Sequence, residues 1–366
     1  YSREAIAVGE AAGALAVQAR AHFTIGFVRG VTGFLDESRA SLDKSVEIST
    51  AAGDAFTRSL SLAGAGLLRN WEGDYVEAAR LQRESRVLAR DSGRLFPVLF
   101  SCFLHGLSLT GKGDYDEALA SFNEGLSLAE RVGDEAIHHR LLNCLGWLYA
   151  DLGDLDQAEE LNTISARIGR SRADPGTQPN AELNLAEIFR AKGDLARAQD
   201  QYDEVFRYFL NPDTSLWMRY RYSIRMFAGM GELALGRGDL SAARSHSAQC
   251  LELATRTASR KNLVKGWRLA AQNAHAQRDD DTAEGHFRKS LEIAGSIGNP
   301  VQHWKSEIAL GRFLDDMKRP DDAQHAFARA FALMQRVREG VRDERLRSAA
   351  DRNPDLRLLQ NLVSRV

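Results

Sequence analysis

Proline is scarce, cysteine scarcer, and neither sign of charge prevails: 366 residues hold 7 Pro, 3 Cys, and 48 basic side chains against 50 acidic ones. Each shortage excludes something. Without a stretch rich in Pro, Gly and Ser, no flexible linker divides the chain into separate domains. Cys102, Cys144 and Cys250 have no metal-like spacing and read as buried thiols in a reducing compartment. A formal charge of −2 removes the electrostatic footprint of a nucleic-acid surface. No apolar run reaches the length of a membrane span and no signal peptide is visible, so a cytoplasmic chain is expected. Alternation with period two is missing as well, which excludes a sheet.

What is present is one phrase repeated eight times. Gly33, Gly73, Gly113, Gly153 and Gly193 are spaced by forty residues; after a five-residue shift the count resumes at Gly238, Arg278 and Lys318. Seven places earlier stand Gly26, Gly66, Gly106, Gly146, Ala186, Gly231, Ala271 and Gly311. Five places later stand Ser38, Ala78, Ala118, Ala158, Ala198, Ala243, Ala283 and Ala323. Self-similarity at such a period marks a solenoid. In the copy from His139, the apolar spacing of Leu141, Leu142, Leu145, Leu148 and Tyr149 predicts a helix that Gly153 closes. Asp154 then caps a second helix, with Gln157 placed for a capping box. Each copy therefore predicts a helical hairpin whose small residues let its two helices approach closely. Arg278 and Lys318 lack the freedom of glycine, so the last two turns are expected to be less regular.

The pattern resembles the tetratricopeptide repeat family: a small residue at the eighth place, alanine at the twentieth, often an aromatic at the twenty-fourth. Gly106, Ala118 and Phe122 fill these places in one copy, and Ala271, Ala283 and Phe287 in another. Gln82 and Asn162 depart from the aromatic, and the forty-residue unit is longer than the usual thirty-four, as in long-helix variants. The resemblance implies an all-α fold, a right-handed α-solenoid of about eight hairpins with C-terminal capping helices. The expected organisation is a remnant second helix over 1–13, the array over 14–343 with an insertion near 208–217, and caps over 344–366. Residues 1–13 read as half a hairpin, which points to a longer parent protein. From Arg336 onward eight arginines face five acids, a balance of +3 that reads as a solvated cap.

No chemistry emerges from the usual signatures. Gly106 to Gly113 nearly spells a phosphate loop, but Gly113 stands where a magnesium-binding hydroxyl is needed and a helix precedes it. His138 and His139 diverge on a helix, and Asp279 to Asp281 lacks the rest of a calcium loop. No enzyme, metal or cofactor is expected. A repeat array binds partners on its surface, and the family resemblance assigns inward-facing places to the first helices. Carried over, these places give Phe27, Leu67, Phe100, Leu107, Arg140, Asn143 and Trp147 in copies one to four. In copies five to eight they give Asn184, Glu187, Arg190, Arg225, Arg268, Gln272 and Arg312. The early copies are apolar and the late ones polar, fitting a protein or peptide with an apolar face and an acidic end. Two alternatives stay open: that the apolar residues simply pack between helices, and that Trp147, Asn143, Arg140 and Asn184 form a sugar-like pocket. The repeat style and the closing Arg345-Leu-Arg and Asn353-Pro-Asp also resemble the C-terminal arrays of bacterial signal-transduction ATPases, and the array of the maltose-operon activator. That resemblance implies a sensor arm acting on an upstream ATPase or output domain of the same polypeptide.

Overall fold

Left-handed turn residues and aspartate caps bound many of the helices, as at Gly73 with Asp74 and Gly193 with Asp194. The computed structural model describes residues 1–174, 176–211, 213 and 218–363, and among these all regular structure is helical. A lead helix, α1 (Ser2–Ala11), is followed by eight hairpins. They are α2 (Leu15–Thr32) with α3 (Leu35–Ala51), α4 (Ala55–Glu72) with α5 (Tyr75–Asp91), and α6 (Leu95–Lys112) with α7 (Tyr115–Val132). Next come α8 (Glu135–Leu152) with α9 (Leu155–Ser171), and α10 (Gln178–Ala191) with α11 (Leu195–Leu210). A π-helical turn, Met218–Tyr222, leads into α12 (Ser223–Gly236) with α13 (Leu240–Arg256). The last pairs are α14 (Arg260–Ala276) with α15 (Asp280–Ile297), and α16 (Pro300–Asp316) with α17 (Pro320–Gly340). The tail forms α18 (Glu344–Asp351) and α19 (Pro354–Val363). The insertion expected near 208–217 lies largely outside the described residues, which omit 212 and 214–217. The architecture is an all-α, tetratricopeptide-like solenoid of stacked hairpins.

The chain divides into two compact units, residues 1–111 with 117–141, and residues 112–116 with 142–366. In the first, a β-carbon on Gly106 would overlap the ring of Phe122, and one on Gly26 would press into Leu42. Phe122, Ala78 and Ala118 are completely buried in these hairpins. Gln82, standing in place of the aromatic, is fully buried and donates to the Ala63 carbonyl at 2.8 Å, which offsets its desolvation. One correction concerns α6: with 18 residues at mean hydropathy 1.2, it is long and apolar enough to cross a membrane, though 61% of it is buried inside the fold. Most of it is buried inside the fold, while Leu95 and Phe96 at its start stay about half exposed.

In the second unit, a β-carbon on Gly146 would strike Asn162, and one on Gly311 would overlap Phe327. The tail does more than cover the last repeat. Leu356 and Leu359 of α19 join the core with Phe327, Ala330 and Met334. The Asp116 carboxylate accepts the backbone N–H groups of Arg342 (2.7 Å) and Asp343 (3.1 Å), and Arg352 pairs with Asp154 at 2.8 Å. A β-carbon on Gly153 would meet Asn353, and one on Gly113 would meet Pro300. The end of the unit is thus fastened to turns near its beginning.

The turns correct two expectations. Asp154 caps α9 by accepting the Gln157 N–H at 3.1 Å, but Gln157 does not reach back; its amide donates to Glu160 instead. The reason is that the Asp154 N–H is already used, donating to the Tyr149 carbonyl at 3.0 Å across the glycine turn. The last two turns keep the geometry of the others. Arg278 and Lys318 take φ of 65° and 60°, and the bond that closes each turn, Asp279 N–H to Ala274 and Arg319 N–H to Leu314, matches that at Gly193. Ala173 and Ala258 are likewise left-handed, at φ of 49° and 48°. Hydrogen bonding and packing on both sides hold four non-glycine residues in a conformation that disfavours a β-carbon. Arg278→Gly and Lys318→Gly should each raise the stability of the second unit by about 0.5–1 kcal/mol. Urea unfolding followed by circular dichroism checks this, and an unchanged or lowered midpoint contradicts it.

Candidate functional site

First helices of neighbouring repeats touch one another, α2 with α4 in the first unit, and α12 with α14 and α14 with α16 in the second. The first-helix side is therefore the inner side within each unit. On the inner side of the first unit, aromatic rings gather. Phe27 of α2 and Phe100 of α6 meet edge-on with centroids 6.1 Å apart, although their helices are two repeats apart. Phe96 stacks on Phe100 at 5.7 Å, Phe103 lies 6.3 Å beyond, and Phe23 is 5.9 Å from Phe27. Phe27, Phe100 and Leu107 are half-buried and Phe96 is 51% exposed, whereas Leu67 on the intervening α4 is packed away at 5%. Arg94 and Arg20 stand over the ring of Phe56, on α4, at 4.7 and 5.5 Å. Arg140, at the end of this unit, is half-buried.

The inner side of the second unit is polar and largely satisfied by itself. Asn143 donates to Asn162 at 2.9 Å, Asn180 to Asn143 at 2.6 Å, and Asn184 to Asn162 at 2.9 Å. Arg225 reaches Asn184 (2.6 Å), Asn180 (3.1 Å) and the Glu187 carboxylate (3.1 Å), and Lys265 takes the other oxygen of Glu187 at 3.3 Å. One helix turn further along, Arg190 pairs with Glu232 at 2.6 Å, Arg268 approaches the same carboxylate at 3.6 Å, and Arg268 also donates to Gln302 and Ser306. Gln272 is half-buried and Arg312 is exposed. The late-copy residues therefore do not form a free basic strip. Burial works to raise the Glu187 carboxyl, but Arg225, Lys265 and Arg190 outweigh it and hold it far below the usual carboxylate range.

Trp147 is half-buried, and Lys261 of α14 lies over its indole at 4.1 Å. The inner faces of α8 and α14 therefore meet, three repeats apart. A sugar stacked on Trp147 would have to displace that ammonium, and Asn143 and Asn184 are already committed to Asn162. Sequence reasoning missed Lys261 over Trp147, Asp151 one turn further along α8, and Tyr115 and Lys305, which interact with Asp151. One signal could have found Asp151. Its register place holds Val31, Trp71, Gly111, Ala191, Gly236 and Ala276 in other copies, with Asp316 the only other acid there. Among the described residues, no group of three or more His, Cys, Asp or Glu stands close enough to hold a metal ion. All three cysteines are free and buried, and burial pushes the Cys250 thiol up to about 12.

Lys261 gives the second unit a pH signature. Burial lowers its pKa to about 7; Lys265 and Arg225 add to the effect and Asp151 opposes it. The unfolded chain then holds a proton on this lysine that the folded chain releases between about pH 7 and its ordinary value near 10.4, so stability rises with pH in that window. From pH 7 to 8.5 the urea midpoint should rise, and Lys261→Met should flatten the rise. An equal slope in both proteins would remove Lys261 as its cause.

Similarities to known proteins fit this architecture. A tetratricopeptide repeat profile matches residues 101–131. Over 124 residues, 34% of this chain and 64% of theirs, the chain is 27% and 26% identical to the photosystem I assembly protein Ycf3 of Prochlorococcus marinus strains NATL1A and NATL2A. The match thus spans less than two thirds of those relatives. Among solved structures, NprR in complex with its cognate peptide NprX is similar at TM-score 0.58 and 12% identity, over 93% of this chain and 98% of that one. The apo form of RapI is similar at 0.55 and 12%, over 75% and 98%. The APC/C hetero-tetramer Cut9–Hcn1 is similar at 0.60 and 15%, over 94% and 62%. At these identities the likeness is one of fold: a tetratricopeptide-like helical-repeat domain.

Proposed function

We propose that this chain is a non-catalytic docking module that holds a peptide or protein segment against the first-helix face of its first unit. In that reading it serves as the sensor or interaction arm of a larger bacterial regulatory protein in the cytoplasm, acting on an upstream ATPase or output domain. The observation that carries the docking surface is the cluster of Phe27, Phe96, Phe100 and Phe103, with ring centroids 5.7 to 6.3 Å apart and Phe96 half in solvent. Contiguous aromatic surface at helix spacing suits the apolar stripe of an amphipathic helix. Arg20 and Arg94, in the same unit, favour acidic flanks on that helix. The fold is shared with NprR, which is described in complex with a cognate peptide. In the second unit the corresponding face is occupied by its own ion pairs, which makes it a poorer place for an apolar stripe.

A library of displayed amphipathic peptides selects for this surface directly. Binders should carry apolar residues at i, i+3, i+4 and i+7. Phe100→Ala together with Leu107→Ala should weaken them by about 1–3 kcal/mol, the scale of an interface hot spot, with helicity unchanged. Unaltered affinity in a fluorescence titration would move the docking site elsewhere, and a selection that enriches nothing would end the docking reading.

A further inference from the structure

In the second unit the charges of three lysines act on one carboxylate, and among the described residues none of them forms an ion pair with it. Asp151 lies one turn beyond Trp147 on α8, and its Oδ2 is buried with no hydrogen-bond partner in the protein. The Tyr115 hydroxyl is buried without a partner too, on a side chain only 1% exposed, and the Asp151 charge acts on it. Lys261 and Lys265 from α14 and Lys305 from α16 are the cations that act on Asp151, and Glu187 from α10 is the opposing acid. Lys265 already shares Glu187 with Arg225. Lys261 rests on the Trp147 ring, and among the described residues no ion pair joins Lys261 or Lys305 to any carboxylate. A tryptophan face is a weak, exchangeable seat for an ammonium. Two cations without a carboxylate of their own, beside an acid and a phenol with unused oxygens, form an arrangement that lacks one negative charge.

We propose that this inner face binds a single anionic group, a carboxylate or phosphate, between Lys261, Lys265 and Lys305, with the Asp151 and Tyr115 oxygens holding a donor on the same ligand. The site lies wholly in the second unit, so it stands or falls separately from the aromatic docking surface of the first. The groups that act on Lys261 are Asp151 and Trp147 from α8, Glu187 from α10, Arg225 from α12 and Lys265 from its own helix, while Lys305 from α16 and Tyr115 at the start of α7 interact with Asp151. Burial and the neighbouring cations lower the Lys261 pKa to about 7, so its neutral form is populated near neutral pH. An arriving anion favours the charged form. Binding therefore takes up a proton, and affinity falls as pH rises above 7. The anion has two possible sources, a free small molecule or an acidic side chain of a docked partner.

Calorimetric titration of the whole chain with inorganic phosphate, and separately with N-acetyl-glutamate amide, tests the site. Saturable one-to-one binding by either probe is expected, weaker at pH 8.5 than at pH 7, with an enthalpy that varies with the ionisation enthalpy of the buffer. Lys261→Met and Lys305→Met should each weaken it by about tenfold, the loss of one charge-assisted bond, while Arg244→Met, at an exposed place on α13, leaves it unchanged. Lys261→Arg should keep the affinity but abolish the proton uptake, because arginine stays charged. Binding of phosphate alone assigns the site to a free anion; binding of the glutamate amide assigns it to an acidic side chain. If neither probe saturates, or if Lys261→Met binds as well as the natural chain, the site is not there.

Discussion

Everything in this molecule depends on how closely paired helices can approach. A glycine or alanine at the eighth place of each first helix removes the side chain that would hold its partner away. A bulky side chain from the second helix then fills the gap: Phe122 over Gly106, Phe327 over Gly311, Asn162 against Gly146. Protein interiors tolerate little added volume, and one methyl group in such a contact costs about 1–3 kcal/mol. Because the same contact recurs every forty residues, the hairpins are near copies. Neighbouring hairpins stack with their first helices touching inside each unit, and that places unlike side chains from distant repeats on one inner face.

The two inner faces solve different problems with the same backbone. The register place four residues before the second holds Phe56 and Phe96 in the first unit but Arg221 and Lys261 in the second. In the first unit the rings associate and leave part of their surface in water, as Phe96 does. In the second, charges brought together in a partly dehydrated space need partners. Glu187 and Glu232 each answer two cations, and an asparagine ladder extends the network from Asn143 to Arg225. Desolvating such groups is expensive unless every donor and acceptor is used. Most of them are, which is why the departures around Asp151, Tyr115 and Lys261 stand out against the rest of the face.

The helical hairpins were legible because their signals are local. Gly153 and Asp154 end one helix and start the next with groups adjacent in sequence, and Ala118 or Ala158 marks a buried place by its size alone. The apolar-to-polar change between early and late copies was equally plain in Phe27, Phe100, Glu187 and Arg225. What was hidden depends on contacts across many repeats. Lys261 sits outside the inward-facing places of a single repeat and acquires its setting only because α14 meets Trp147 of α8. Leu67 occupies the same register place as Leu107 yet is buried while Leu107 is half in solvent, a difference of neighbours that residue type does not encode. Arg278 and Lys318 looked like defects because the glycine rule is a preference, and here the closing hydrogen bonds of the turn outweigh it.

The tail connects these observations. Asp116 collects the N–H groups of Arg342 and Asp343, and Asp154 holds Arg352, so the last helices are tied to turns nearly two hundred residues or more earlier in sequence. Of Asp154's two oxygens, one caps α9 through Gln157 and the other receives Arg352. A single carboxylate thus stabilises a local helix start and a distant closure together. Such a tie restrains the separation between the first and last repeats of the unit, a span across which Lys261 of α14 reaches Trp147 of α8. The curvature of an ordinary repeat array is a soft variable, the sum of small rotations at each interface. With its two ends joined, the second unit has specific bonds that oppose a change of curvature, and the contact of Lys261 with Trp147 lies within the span they close.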